Sequence, residues 1–261
     1  MTTSDFQPAK IPFMGASRDI SPGHADAVLF GAPHGTPYKG INNEAHAGTA
    51  DALRTAMEED AAWPEHWDFD LDGPLLGDGG FTLADAGDLK TTSQDGSGKR
   101  ALIETATAEI VAAGAVPIML GGDDSTPIPF IKALAPAGPL TIIQVDAHID
   151  WRDERRGEPL GYSSTMRRAS EMAHVERVIQ VGIRGLGSAR REEVEIARNW
   201  GAEIVTARAV HEQGVAAALR HVPDGANCMI TFDCDALDSS IMPAVMAPTP
   251  GGLSYTQSID L

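Results

Sequence analysis

Apolar residues in this chain come in short runs, and the stretches between several of them carry helical spacing. Ala27–Ala32 (AVLFGA), Val116–Leu120 (VPIML), Leu140–Val145 (LTIIQV), Val178–Ile183 (VIQVGI), Glu203–Thr206 (EIVT) and Cys228–Phe232 (CMITF) are brief, mostly apolar and rich in β-branched residues. They read as buried strands. Helical spacing covers Asn43–Met57, Lys99–Ala113, Arg191–Trp200 and Ala209–Val222. Residues 64–100, rich in Gly, Asp and Pro, read mostly as loop, with a short strand expected near Thr82–Ala86. Continuously apolar strands alternating with helices predict an α/β fold with a mainly parallel central sheet. Ligands in such sheets gather at the carboxyl ends of the strands.

Acidic residues stand at three of those ends. VPIML leads into Gly121-Gly122-Asp123-Asp124-Ser125, LTIIQV into Asp146-Ala147-His148-Ile149-Asp150, and CMITF into Asp233-Cys234-Asp235. Carboxylates at the ends of buried strands are costly unless paired or bound to a cation. A lone aspartate there serves equally well as a helix cap, but caps call for neither His148 nor a paired D-x-D. Carboxylates with a neutral imidazole suit manganese and similar divalent ions. If these segments are extended, alternate side chains share one side, so Asp146, His148 and Asp150 can converge with Asp233 and Asp235.

The segments GGDDS, DAHID and TFDCDALD, followed by TPGGL, resemble the signatures of the ureohydrolase (arginase/agmatinase) family in order and spacing. The similarity extends upstream through PYKG, DAGDL and VGIRG and covers nearly the whole chain. It implies a three-layer arginase-like domain over residues 1–261 and two divalent metal ions, manganese first and nickel as the alternative. By this resemblance Asp146 and Asp233 bridge the ions, His148 and Asp235 complete one, and Asp150 and Asp124 complete the other. Asp150 would also hold the attacking hydroxide and pass its proton to the departing amine. The implied substrate is a small linear guanidino compound, hydrolysed to urea or a substituted urea and an amine. The implied assembly is a homo-oligomer, trimer or hexamer.

Several positions depart from the family pattern. Asp124 stands where the family has the histidine of GGDHS. In GYSSTMRRA the proton-shuttling histidine slot falls on Tyr162, a poor shuttle at an ordinary phenol pKa of ~10. The same resemblance puts Ser164 and Ala247 at substrate-binding positions, and Val245, Met246 and Ala247 make that wall more apolar. The family continues past GGL with a helix and a central strand, so at Leu261 the C-terminal part of the domain is expected to be missing. The strands ending at Asp123 and Asp233 are then expected to lack a neighbour. These changes support a second reading, a non-catalytic or regulatory subunit of a hetero-oligomeric guanidine or biguanide hydrolase. A third, deacetylase-like chemistry, is disfavoured by the paired two-metal motifs.

Composition narrows the partners. With 37 acidic against 20 basic residues, the net charge of −17 argues against nucleic acid or an anionic membrane as a partner. Two cysteines make no disulfide framework and fit a reducing cytoplasm. No basic, then apolar, leader is visible, and no apolar run approaches the ~18 residues of a membrane span. His24, His34, His46, His66, His174, His211 and His221 are expected to be surface or loop residues rather than ligands.

Overall fold

Each expected apolar run forms a strand, and the strands gather into two four-stranded sheets. A computed structural model describes residues 5–78, 80–187 and 189–261. It divides into two units, Met1–Leu134 and Ala135–Leu261, with one four-stranded sheet in each.

The first unit contains β1 (Phe6–Gln7), β2 (Ala27–Ala32), helix α1 (Thr49–Ala56), the small hairpin β3 (Trp67–Asp68) and β4 (Gly73–Pro74), β5 (Leu83–Leu89), α2 (Gly96–Ala112), β6 (Val116–Gly121) and α3 (Pro127–Ala133). The strand order is β1-β5-β2-β6, parallel except for β1. Every residue of β2 is buried, as an interior strand requires, and Phe30 packs against Phe6 and Phe130 with ring centroids 6.3 and 6.4 Å away. The Asp95 side chain caps α2, accepting from the Gly98 N–H at 2.8 Å, which starts the helix earlier than its apolar spacing suggests. Arg54 on α1 is fully buried, with Asp85 2.8 Å and Asp88 2.6 Å away. Burial pushes the Asp88 carboxyl up, and the Arg54 guanidinium offsets this only in part.

The second unit contains β7 (Leu140–Val145), α4 (Thr165–Ala169), β8 (Val175–Ile183), α5 (Arg191–Trp200), β9 (Glu203–Thr206), α6 (Ala207–Gln213), α7 (Ala216–Leu219), β10 (Asn227–Phe232) and α8 (Tyr255–Ile259). Its sheet, in the order β10-β7-β8-β9, is parallel throughout. Ile143, Val145, Ile179, Val181 and Val205 from the strands pack on Val210, Ala217, Ala218 and Leu253 to form the core. The expected helix over 209–222 is broken in two, because Gly214 takes φ 71°, which no helix contains.

β6 and β10 each form one edge of their sheet, paired on one side among the described residues. Both expose apolar side chains. Val116 is 58% and Ile230 56% solvent-accessible, in contrast to the closed interiors of β2 and β7. Such edges are open to further pairing.

Candidate metal centre

The sheet of the second unit delivers its acidic residues in register. Val145 on β7 pairs with Phe232 on β10, so the next residue on each strand is an aspartate. The ladder runs one bond further: Asp146 N–H donates to Val181 O and Asp233 N–H to Val145 O, both at 2.9 Å. Asp146 and Asp233 therefore leave the sheet as neighbours with their backbones still held.

The side chains that follow do not converge by strand alternation. Beyond Asp146 the chain bends, Asp150 adopts φ 49°, and Cys234–Ala236 is a 3-10 turn. Turns closed by the aspartates themselves do the gathering. His148 N–H donates to Asp146 Oδ1 at 2.6 Å and Asp235 N–H to Asp233 Oδ1 at 2.8 Å. Ala147 N–H donates to Asp235 Oδ1 at 3.1 Å, tying the two turns together. His148 Nδ1 then lies 3.1 Å from Asp235 Oδ2 and 3.5 Å from Asp146 Oδ1. Asp146, His148 and Asp235 each offer a ligand atom within 4.8 Å of the others. Asp150, 8% exposed, accepts from Gln144 Nε2 at 2.9 Å, and the same nitrogen donates to Asp146 at 2.8 Å.

The electrostatics describe a site short of positive charge. Burial, then the Asp146 and Asp235 charges, push the Asp233 carboxyl up to about 8. Burial also raises Asp146, which is 1% exposed. The hydrogen bonds from His148 to Asp146 and Asp235 raise the imidazole to about 11. At neutral pH the cluster thus holds protons where a divalent cation would supply stronger compensation. Oxygen donors with one imidazole fit manganese-like ions.

A half-buried guanidinium fixes the turn that carries Asp235. Arg184 donates to the carbonyls of Asp235 (2.6 Å), Ala236 (3.1 Å), Leu237 (3.1 Å) and Gly182 (3.3 Å), and to Thr249 at 2.7 Å. It thereby joins the D-x-D turn to the 247–249 loop, where Ala247 is exposed. Replacing Arg184 with Gln strips most of these acceptors of donors. The expected loss is about 2–4 kcal/mol in the free energy of unfolding, read from urea denaturation. A loss under about 1 kcal/mol would mean that water serves these carbonyls as well.

Other expected residues are placed as follows. Tyr162 opens a 3-10 turn; its hydroxyl accepts from Arg155 at 2.6 Å, and that guanidinium sits 5.5 Å from the ring centroid. Ser164 is fully buried, and its Oγ has no hydrogen-bond partner among the described residues. Asp124 belongs to the first unit, in the turn after β6. Beside it Asp123 accepts from the Ser125 N–H at 2.9 Å and is raised by burial. A side chain at Gly35 would collide with the Asp123 carboxylate. His34 is not on the surface: it is 8% exposed, held by Thr91 at 2.8 Å and Glu44 at 3.3 Å. Cys234 is half-buried in its turn. Sequence reasoning missed Gln144, Gln180, Trp151 and Arg184. The available signal was a glutamine inside each of two otherwise apolar buried strands.

The arginase family's sequence model matches residues 25–261. The chain belongs to the arginase family. It is 31% identical over 185 residues to the mitochondrial guanidino acid hydrolase of Homo sapiens, covering 69% of this chain and 52% of that protein. It is 34% identical over 161 residues to the N(1)-aminopropylagmatine ureohydrolase of Thermus thermophilus, covering 61% and 53%. The chain thus spans about half the length of the curated relatives it matches. The crystal structure of formimidoylglutamase from Bacillus subtilis superposes with a TM-score of 0.80 at 24% identity, covering 100% of this chain and 81% of that one. At that identity the likeness establishes the arginase-like α/β fold alone.

Proposed function

We propose that this chain is a metal-dependent amidinohydrolase of agmatinase-like type. It would hydrolyse a small linear guanidino compound to urea, or a substituted urea, and an amine. The observation that carries the reading is the gathering of Asp146, His148 and Asp235, with Asp233 held against Asp235, at the ends of β7 and β10. Asp146 and Asp233 would bridge two ions, manganese first and nickel second. His148 and Asp235 would complete one, and Asp150 and Asp124 the other. When bound, the ions would acidify water and polarise the guanidinium carbon.

The remaining chemistry belongs to the protein. Asp150, aimed by Gln144, takes the proton released as the attacking water oxygen bonds to the guanidinium carbon, and delivers it to the amine nitrogen as the carbon–nitrogen bond breaks. Tyr162, held by Arg155, orients the substrate by hydrogen bonding rather than shuttling protons. Ser164 and Ala247 line the substrate's path. Both units belong to one ureohydrolase-like domain, residues 1–261, in a cytoplasmic homo-oligomer. Among the described residues no helix is long and apolar enough to cross a membrane.

A second reading, a non-catalytic subunit of a hetero-oligomeric guanidine or biguanide hydrolase, is favoured by Asp124 and Tyr162, which replace two functional histidines of the family pattern. The test is urea release from a panel of guanidines by protein loaded separately with Mn2+ and Ni2+, with metal content measured alongside. About two ions per protomer and turnover of one guanidine are expected. Metal-free, inactive protein would favour the second reading.

A further inference from the structure

We propose that Gln144 is the positioning residue of the metal centre, and that Gln180 and Trp151 fix its amide with the N–H groups facing the carboxylates. The proposal rests on the two-metal reading above.

Gln144 and Gln180 are direct neighbours on β7 and β8. They are 1% and 0% exposed, and Trp151 beside them is 1% exposed. Trp151 Nε1 lies 3.1 Å from Gln180 Oε1. An indole N–H can only donate, so the oxygen of Gln180 must face it. The Gln180 nitrogen therefore faces the other way and donates to Gln144 Oε1 at 2.5 Å and Ile149 O at 2.8 Å. With its oxygen engaged, Gln144 turns both hydrogens of Nε2 outward. One goes to Asp146 Oδ2 at 2.8 Å, the other to Asp150 Oδ2 at 2.9 Å. Each amide hydrogen in the chain is used once, and no step tolerates a flipped amide. Trp151 is braced in turn against Trp200, centroid to centroid 5.9 Å.

The arrangement suits a metal site for a reason of charge. Two carboxylates on an irregular segment, at positions 146 and 150, must be held at fixed rotamers. A lysine or arginine would hold them, but it would also neutralise them and repel incoming cations. An amide supplies two donors and no charge. Asp150 needs this hold most, since its backbone sits at φ 49°, an unfavourable region for a residue with a side chain.

Mn2+ titration calorimetry on the parent, Gln144→Met and Trp151→Phe proteins tests this, with metal-free unfolding followed in parallel. Gln144→Met keeps the volume and removes both donors; its Mn2+ affinity should fall about 10- to 100-fold while the protein still unfolds cooperatively. Trp151→Phe keeps a ring and removes only the distant N–H that orients the chain; a loss of about two- to tenfold is expected. A merely structural role would lower the unfolding midpoint and leave the affinity alone. Affinity of Gln144→Met within twofold of the parent overturns the proposal. If that variant fails to fold, unchanged affinity in Trp151→Phe does so instead. A parent protein that takes up no Mn2+ overturns the two-metal reading itself, and the positioning role with it.

Discussion

Asp150→Asn is expected to lower urea release about 10²- to 10⁴-fold, the range that general acid–base groups contribute, while the protein stays folded and retains most of its metal. Asn tolerates the left-handed backbone that Asp150 occupies at φ 49° better than other residues with a side chain. Its carbonyl can accept the Gln144 N–H that Asp150 now accepts at 2.9 Å. Its carbonyl also coordinates weakly, so Mn2+ uptake should drop far less than turnover. An amide cannot take and return a proton near neutrality, and that is the role proposed for Asp150. Kinetics with metal content measured on the same sample separates the two effects. Turnover within a few fold of the parent would show that Asp150 does not handle the proton.

The inner strands were legible because burial on both faces leaves a mark that survives without context, and the outer ones because their short apolar, β-branched runs persist despite partial exposure. LTIIQV occupies Leu140–Val145 as read, and EIVT occupies Glu203–Thr206. β8 begins at Val175, three residues before its expected start, because Glu176 and Arg177 interrupt the apolar pattern in a strand end that meets solvent. Pro127 and Pro129 concealed α3, although Pro in a first helical turn has no N–H bond to lose. At the site, strand ends identified which acidic residues leave the sheet together. They could not supply the geometry, because the gathering depends on turns closed by Asp146 and Asp233 and on one left-handed residue, none of which has a periodic signature. The glutamines were visible as letters, but nothing local marks them as a pair. The acceptors of Gln180, Ile149 and Gln144, lie 31 and 36 positions away along the chain, and only the register of β7 against β8 makes the two glutamines a unit.

Mn2+ affinity should rise at least about tenfold per pH unit between pH 6 and 8, because the metal must displace protons that the folded site holds tightly. In the metal-free protein His148 is raised to about 11 by Asp146 and Asp235, and Asp233 to about 8 by burial and those same charges. Both are protonated at pH 7, and both must lose the proton to coordinate. The same shifts fix the sign of metal-free stability. The folded protein binds more protons than the unfolded chain from about pH 4 to 8 at Asp233, and from about 6.5 to 11 at His148. Stability of the metal-free form therefore falls as pH rises through these windows. His148 contributes fully below about 6.5, and its contribution is gone only above about 11. Bound metal replaces the protons and removes this dependence, so the gain in Tm on adding Mn2+ should grow from pH 6 to pH 8. Calorimetry in buffers of different ionisation enthalpy should show one to two protons released per site at pH 7, as Asp233 and His148 give theirs up. A Mn2+-induced Tm shift that is flat with pH, with no proton release, would mean that the ions bind away from Asp233 and His148. The assignment of the β7 and β10 ends as the metal centre would then fall.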